Sequence, residues 1–292
     1  MRLGRITQIW RYPVKSMAGE QLARAQVGRS GIVGDRRWAV RNDSVGEIQG
    51  GKKFPDLMRC TARFRREPRG DDDTPPPVGI QFPDGNTCGS DAPDVLGRRL
   101  LDVTEGTPCS VWPVQPAEAE AFYRRKARTQ EEAAADRAHN LQREAGEPYP
   151  DLTGFPPSIF EFTSIPGMYF DLSPLHLLTT ASLAFMARCN PDADWDVRRF
   201  RPNFLVDVAD GQQTEGLVEL AWLGRTLRVG GLTLRCDYPT PRCGMITRPQ
   251  PGLGFDKGVL RTVVREADQN LGVYADVVEP GEVKVGDEIL LI

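Results

Sequence analysis

Histidine is almost missing from this 292-residue sequence: only His139 and His176 occur, too few for a His-rich zinc, iron or copper site. His176 lies in the apolar run PLHLL, where a satisfied core imidazole is expected rather than a ligand. The six cysteines, at 60, 88, 109, 189, 236 and 243, form no CxxC pair and no dense disulfide spacing. Reduced thiols in a reducing compartment are therefore expected. No apolar run reaches the roughly 18 residues of a membrane span. The opening MRLGRITQIWRYPV carries no continuous apolar leader core, so a cytoplasmic protein without membrane contact is expected. GxSxG, HExxH, Walker and GxGxxG patterns are absent from credible settings, which sets aside serine hydrolases, zincins and Rossmann enzymes. A basic excess is lacking too. The net charge is -3 and the pI about 5.6, which argues against a nucleic-acid binder and requires any bound anion to be held locally.

Arginine, by contrast, is plentiful: six of the 37 basic residues are Lys, which leaves 31 Arg. Its planar fork of donors suits phosphate and carboxylate, but a GC-rich genome accounts for most of the excess, so position has to decide. The length suits one large or two modest domains with a substantial core. Residues 1–40 alternate in short β-rich runs (RITQIWRYPV, LARAQV, RRWAV) between Gly-containing turns, as in a small antiparallel sheet or barrel. Residues 67–94 are rich in Pro, Gly and Asp, with FPDGN marking a hairpin turn. Residues 116–145 are rich in helix formers and mixed charge, read as a polar helix or helical linker with a solvated face.

Beyond a Pro-interrupted connector, SPLHLL reads as a short buried strand. TTASLAFMARCN reads as a helix capped by Thr179 or Thr180 and stopped at Asn190-Pro191. The strands expected after it are NFLVDV, GLVELAWLG, RTLRVGG, LTLRCDY, RTVVRE, GVYADVV and EVKVGDEILLI, with a tight turn at EPGE. The fold class is mixed α/β and β-rich: an N-terminal β-barrel-like domain (1–115), a helical linker (116–165) and a second β-barrel domain with a few helices (166–292).

The side chains suited to chemistry sit in turns. YPVKS puts Lys15 and Ser16 after a strand, GDRRW puts Arg36 and Arg37 at the start of the next, and RRFRPN puts Arg201 and Asn203 around a proline. PTPRCG presents Cys243 beside Arg242 on a proline-stiffened loop. Each alone is weak. Together, a thiol and several cations suit a ligand with a soft metal at one end and an anionic tail at the other, with Arg242 favouring the thiolate. Cys236 is expected to be a small buried hydrophobe, Asp237 and Asp256 receive no role, and Arg248 and Arg261 are candidates for the entrance.

YPVKS, DRRW, SPLHLLTTASL, RFRPN, PRCGMIT and GVYADVVEPGEVKVGDEILLI resemble the motifs of MOSC-domain proteins, relatives of the C-terminal domain of molybdenum-cofactor sulfurase. Within that group they resemble the mitochondrial amidoxime-reducing component and its bacterial relatives. The likeness runs from about Ile6 onward, with the helical linker as its least typical part. It implies an N-terminal MOSC barrel domain before a MOSC domain, and a molybdenum–molybdopterin cofactor. Cys243 would be the metal ligand and catalytic residue, and Lys15, Ser16, Arg36, Ser173, Arg201, Asn203 and Arg242 would hold the pterin and its phosphate. The activity implied is oxygen removal from N-hydroxylated small molecules, fed by a separate flavoprotein or ferredoxin-type electron donor because no C-x4-C-x2-C run for an iron–sulfur cluster is present. Pyridoxal phosphate binding is a further family-level association. A second reading is sulfur transfer or cofactor carriage through a persulfide or thiolate on Cys243. Pro241 departs from the pattern, standing where some relatives carry Ser.

Overall fold

A computed structural model describes residues 1–142, 144–212 and 214–292. Seven strands close a barrel: β1 (Arg2–Arg11), β2 (Leu175–Thr179), β3 (Phe204–Val208), β4 (Thr226–Val229), β5 (Leu232–Pro241), β6 (Asn270–Glu279) and β7 (Glu288–Leu291). Their order is β3-β2-β6-β5-β4-β7-β1, and β1 closes the ring on β3. Every pair is antiparallel except β2 and β3. A parallel pair needs a crossover, supplied here by helix α2 (Thr180–Cys189), whose N-cap Thr179 accepts from the Ser182 amide at 3.0 Å. The barrel interior is filled from both ends of the chain: Leu3, Ile6 and Ile9 of β1 pack with Leu175, Val206, Leu234, Val273 and Ile289.

A second core gathers Val14, Met17, Trp38, Phe54, Leu57, Ile80, Leu96 and Cys109 under two three-stranded sheets, of which one contains 38–42 and 109–113 and the other 61–64 and 78–81. The FPDGN turn does join a hairpin of 78–81 and 87–89, with Gly85 at φ +86° and its amide bonded to Phe82 O. The β-rich class and the barrel expected from sequence are both present.

Two expected strands are helical. Val218–Trp222 forms a 3-10 turn, and Lys257–Glu266 forms helix α3, so RTVVRE is not a strand. The β-branched residues Val259, Thr262, Val263 and Val264 suggested a strand, but they are buried on one side at helical spacing, and Asp256 caps the start by accepting from Gly258 N at 2.8 Å. Burial of that stripe outweighs intrinsic propensity. In the linker, the longest helix among the described residues is α1 (Gln130–Leu141), opened by a Thr129–Glu132 capping box and burying no residue. Residue 143, within the expected helical stretch, lies outside the described residues. Among the described residues, no helix is long and apolar enough to cross a membrane.

Candidate functional site

A cavity of about 600 Å³ opens between the barrel mouth and the linker, and Lys15, Ser16, Arg36, Ser173, Arg201, Asn203, Arg242 and Cys243 all line it. Turns near opposite ends of the chain, together with Ser173, thus deliver the expected side chains to one place. Cys243 is half-buried and a free thiol; it is separated from the end of β5 by Arg242 and precedes the short 3-10 turn Gly244–Thr247.

The inner wall is built on strained backbone. Ser16 (φ 70°), Arg36 (φ 48°) and Arg201 (φ 55°) all adopt the left-handed conformation, which costs a side-chain-bearing residue about 1–2 kcal/mol. Strain of this kind persists only where surrounding contacts fix it, and those contacts are plain. Buried Asp35 accepts from Tyr12 N at 2.7 Å, from Asn203 Nδ2 at 2.9 Å and from Arg36. Asn203 also donates to Trp10 O at 3.2 Å and accepts from His176 N at 3.1 Å. Its amide is spent on joining three chain segments.

Two guanidiniums lie over the ring of Tyr12, that of Arg36 at 4.8 Å and that of Arg201 at 4.2 Å from its centroid. Its hydroxyl donates to Pro202 O at 3.1 Å. Cation–π attraction thereby holds two like charges side by side. Arg201 gives one nitrogen to Met17 O at 2.6 Å, while its buried Nη2 has no partner among the described residues. Arg242 donates to Phe200 O at 2.7 Å and leaves Nε without a partner among the described residues. Burial and then the charge of Arg36 pull Arg201 down to about 10. Burial likewise lowers Lys15, although Asp171 opposes this at 2.5 Å. Asp171 faces the cavity, and despite the cost of enclosing its charge, Lys15 and Lys52 hold it well below the usual carboxylate range. Burial, then Arg242 and Arg36, keep His176 neutral. Burial pushes Tyr274, stacked at a tilt on His176, up to about 12.

Among the described residues, ten Lys or Arg side chains line the cavity against four Asp or Glu, so the pocket is cationic although the protein is net acidic. Asp35, Lys52, Asp171 and the Tyr12 ring received no role from sequence. Asp35 and Tyr12 were within reach, since each lies inside a quoted motif; Asp171 gives no local signal. Arg248 and Arg261 are not among the lining residues: Arg261 is held by Glu147 and by Gln142 O at 2.7 Å. Cys236 is fully buried in the barrel core, where burial raises its thiol to about 12.

A two-domain β protein with a thiol and an arginine clamp at the joint defines the class, and known families identify it. The MOSC domain family model matches residues 166–290, and the MOSC N-terminal beta barrel domain model matches residues 3–86. This chain is a MOSC-domain protein with the N-terminal barrel domain. A curated relative, mitochondrial amidoxime reducing component 2 of Bos taurus, is 23% identical over 311 residues, covering 99% of this chain and 83% of the relative. Among solved structures, the YUAD protein from Bacillus subtilis aligns over 98% of this chain and 94% of its own at 11% identity and TM-score 0.39. YiiM from Geobacillus stearothermophilus aligns over 41% of this chain and 54% of its own at 11% identity and TM-score 0.30. The assignment rests on the two domain models.

Proposed function

We propose that this protein is an oxidoreductase that holds a molybdenum–pterin cofactor through Cys243 and reduces N-hydroxylated small molecules. The observation that carries the reading is the pairing, in one cavity, of a half-buried thiol with buried guanidinium nitrogens that have no partner among the described residues. A buried donor without an acceptor costs about 1–3 kcal/mol, and an anion that accepts from Arg201 and Arg242 removes that cost. The donor set fits the cofactor chemically: a soft sulfur for the metal and hard cationic forks for a phosphate. Among the described residues no group of three His, Cys, Asp or Glu side chains is arranged to hold a metal. Cys243 therefore suits a metal whose other ligands arrive with an organic cofactor.

In this account Arg36, Arg201 and Arg242 bind the anionic end, Tyr12 and Asp35 orient the two clamp arginines, and Cys243 supplies one sulfur. Lys52, raised by Asp171 and then Cys243 against its burial, keeps its proton and a positive charge in the cavity that Cys243 also lines. A bound molybdenum–pterin supplies the two-electron chemistry. The balance is that an N–O bond breaks, two electrons and two protons are consumed, and water and the reduced nitrogen compound leave. The electrons come from a separate flavoprotein or ferredoxin-type donor. The coarser kinship to an amidoxime reducing component supports this substrate class.

Metal analysis of wild type and Cys243→Ala from a cofactor-competent host tests the reading, with fluorescence of the oxidised pterin alongside. Near-stoichiometric molybdenum and pterin in the wild type, and loss of molybdenum in the variant, are expected. A wild type that carries neither would overturn the proposal and redirect work to a persulfide on Cys243.

A further inference from the structure

Five of the cations that line the cavity form an inner group. In the inner group, Lys15 and Lys52 share Asp171, Arg36 has Asp35, and Arg201 and Arg242 are met only by backbone carbonyls among the described residues. Five cations thus face two carboxylates, an excess matched to the anionic cofactor proposed above.

Arg125 belongs to neither bargain. It sits on a clip in which the chain around 123–125 pairs with 161–163: Arg124 bridges Phe162, Arg125 N donates to Glu161 O at 2.9 Å, and Thr163 N donates to Tyr123 O at 2.8 Å. Fully buried Tyr123, packed with Tyr169, Ala39 and Ile48, fixes the clip to the protein body. Alternation along an extended chain sends neighbouring side chains to opposite faces. Arg124 accordingly turns outward, to Glu120, Glu161 and the Phe162 ring, and Arg125 lines the cavity.

Three carboxylates are close enough to act on Arg125, namely Asp171, Glu47 and Asp136, but each is engaged elsewhere. Asp171 serves the two lysines, Glu47 pairs with Arg128 at 2.8 Å and accepts from Lys126 N, and Asp136 pairs with Arg128 at 2.6 Å. Among the described residues no carboxylate forms an ion pair with Arg125. Arg125 and Cys243 line the same cavity. A rigidly mounted guanidinium without a counter-ion among the described residues, lining the cavity that Cys243 shares, is a recognition group for a carboxylate.

We infer that Arg125 binds an anionic group on the substrate, and that the preferred substrates are N-hydroxylated molecules carrying a carboxylate. This rests on the reductase reading and adds the substrate class to it.

The test compares 4-carboxybenzamidoxime with 4-methylbenzamidoxime as substrates of the molybdenum-loaded protein, with reduced methyl viologen as electron source. The ratio of kcat/KM, carboxylated over methylated, is expected to exceed one in the wild type and to decline with added salt. In Arg125→Gln it should fall by about ten-fold, the loss of one charge-assisted hydrogen bond, with part restored in Arg125→Lys. An unchanged ratio in Arg125→Gln overturns the inference, as does a salt-independent wild-type ratio should that variant fail to fold. If the wild type reduces neither compound, the reductase reading fails. Calorimetric titration with the carboxylated compound then decides the role of Arg125: binding kept in Arg125→Lys and lost in Arg125→Gln supports it, and equal binding in both, or none in the wild type, refutes it.

Discussion

The Tyr12 clamp permits a sharp test, because its hydroxyl and its ring do different jobs. Tyr12→Phe removes the 3.1 Å bond to Pro202 O and leaves a buried carbonyl unsatisfied, a loss of about 1–2 kcal/mol. For a chain of this size that lowers Tm by about 2–6 °C. The ring remains over Arg36 and Arg201, so phosphate affinity should stay within about two-fold. Tyr12→Leu also removes the surface on which both guanidiniums rest, 4.2 and 4.8 Å away. At about 1–2 kcal/mol for each desolvated contact, the arginines separate and phosphate binding weakens by ten-fold or more. Calorimetric titration of cofactor-free protein with inorganic phosphate, paired with thermal unfolding, reads both quantities. Equal phosphate affinity in the Phe and Leu variants would refute the idea that the ring holds the clamp together.

Other outcomes follow from the same geometry. Gly272 has φ +92°, and a Cβ there would lie 2.1 Å from His176 Nε2; Gly272→Ala should lose about 3 kcal/mol of stability, and a variant within 1 kcal/mol of wild type in urea unfolding would contradict the packing described. His176 is depressed well below its ordinary 6.5, so the unfolded chain takes up this proton first. That contribution is fully present above pH 6.5 and is lost as pH falls below it, at up to about 1.4 kcal/mol per pH unit. His176→Gln should flatten that acid limb, and parallel stability curves for the two proteins would count against a buried neutral imidazole.

The barrel was legible because strand signals in LTLRCDY and GVYADVV coincide with burial on the core face. The helix α3 was not, since a run of Val and Thr reads as β when its partners across space are unknown. In the site, Cys243 and the clamp arginines stood out as chemically unusual residues in turns. Asp171 and Arg125 did not, because their meaning is relational: a carboxylate that consumes two lysines and a guanidinium that has no carboxylate are properties of an arrangement. Asn203 shows the converse. It lies in a conspicuous motif and lines the cavity, yet its amide is occupied by Trp10, Asp35 and His176.

The first strand of the barrel carries a consequence for how the molecule is made. Residues 2–11 are synthesised well before their barrel partners at 204–208 and 288–291. Until those partners are made, Leu3, Ile6 and Ile9 lack most of the core they enter, and β1 keeps unpaired backbone along the barrel seam. Closure joins distant stretches of chain and is slow in proportion to that separation. The motif that leads from this strand to Lys15 and Arg36 is set only when the barrel shuts, so the cavity takes its form after 288–291 have been made.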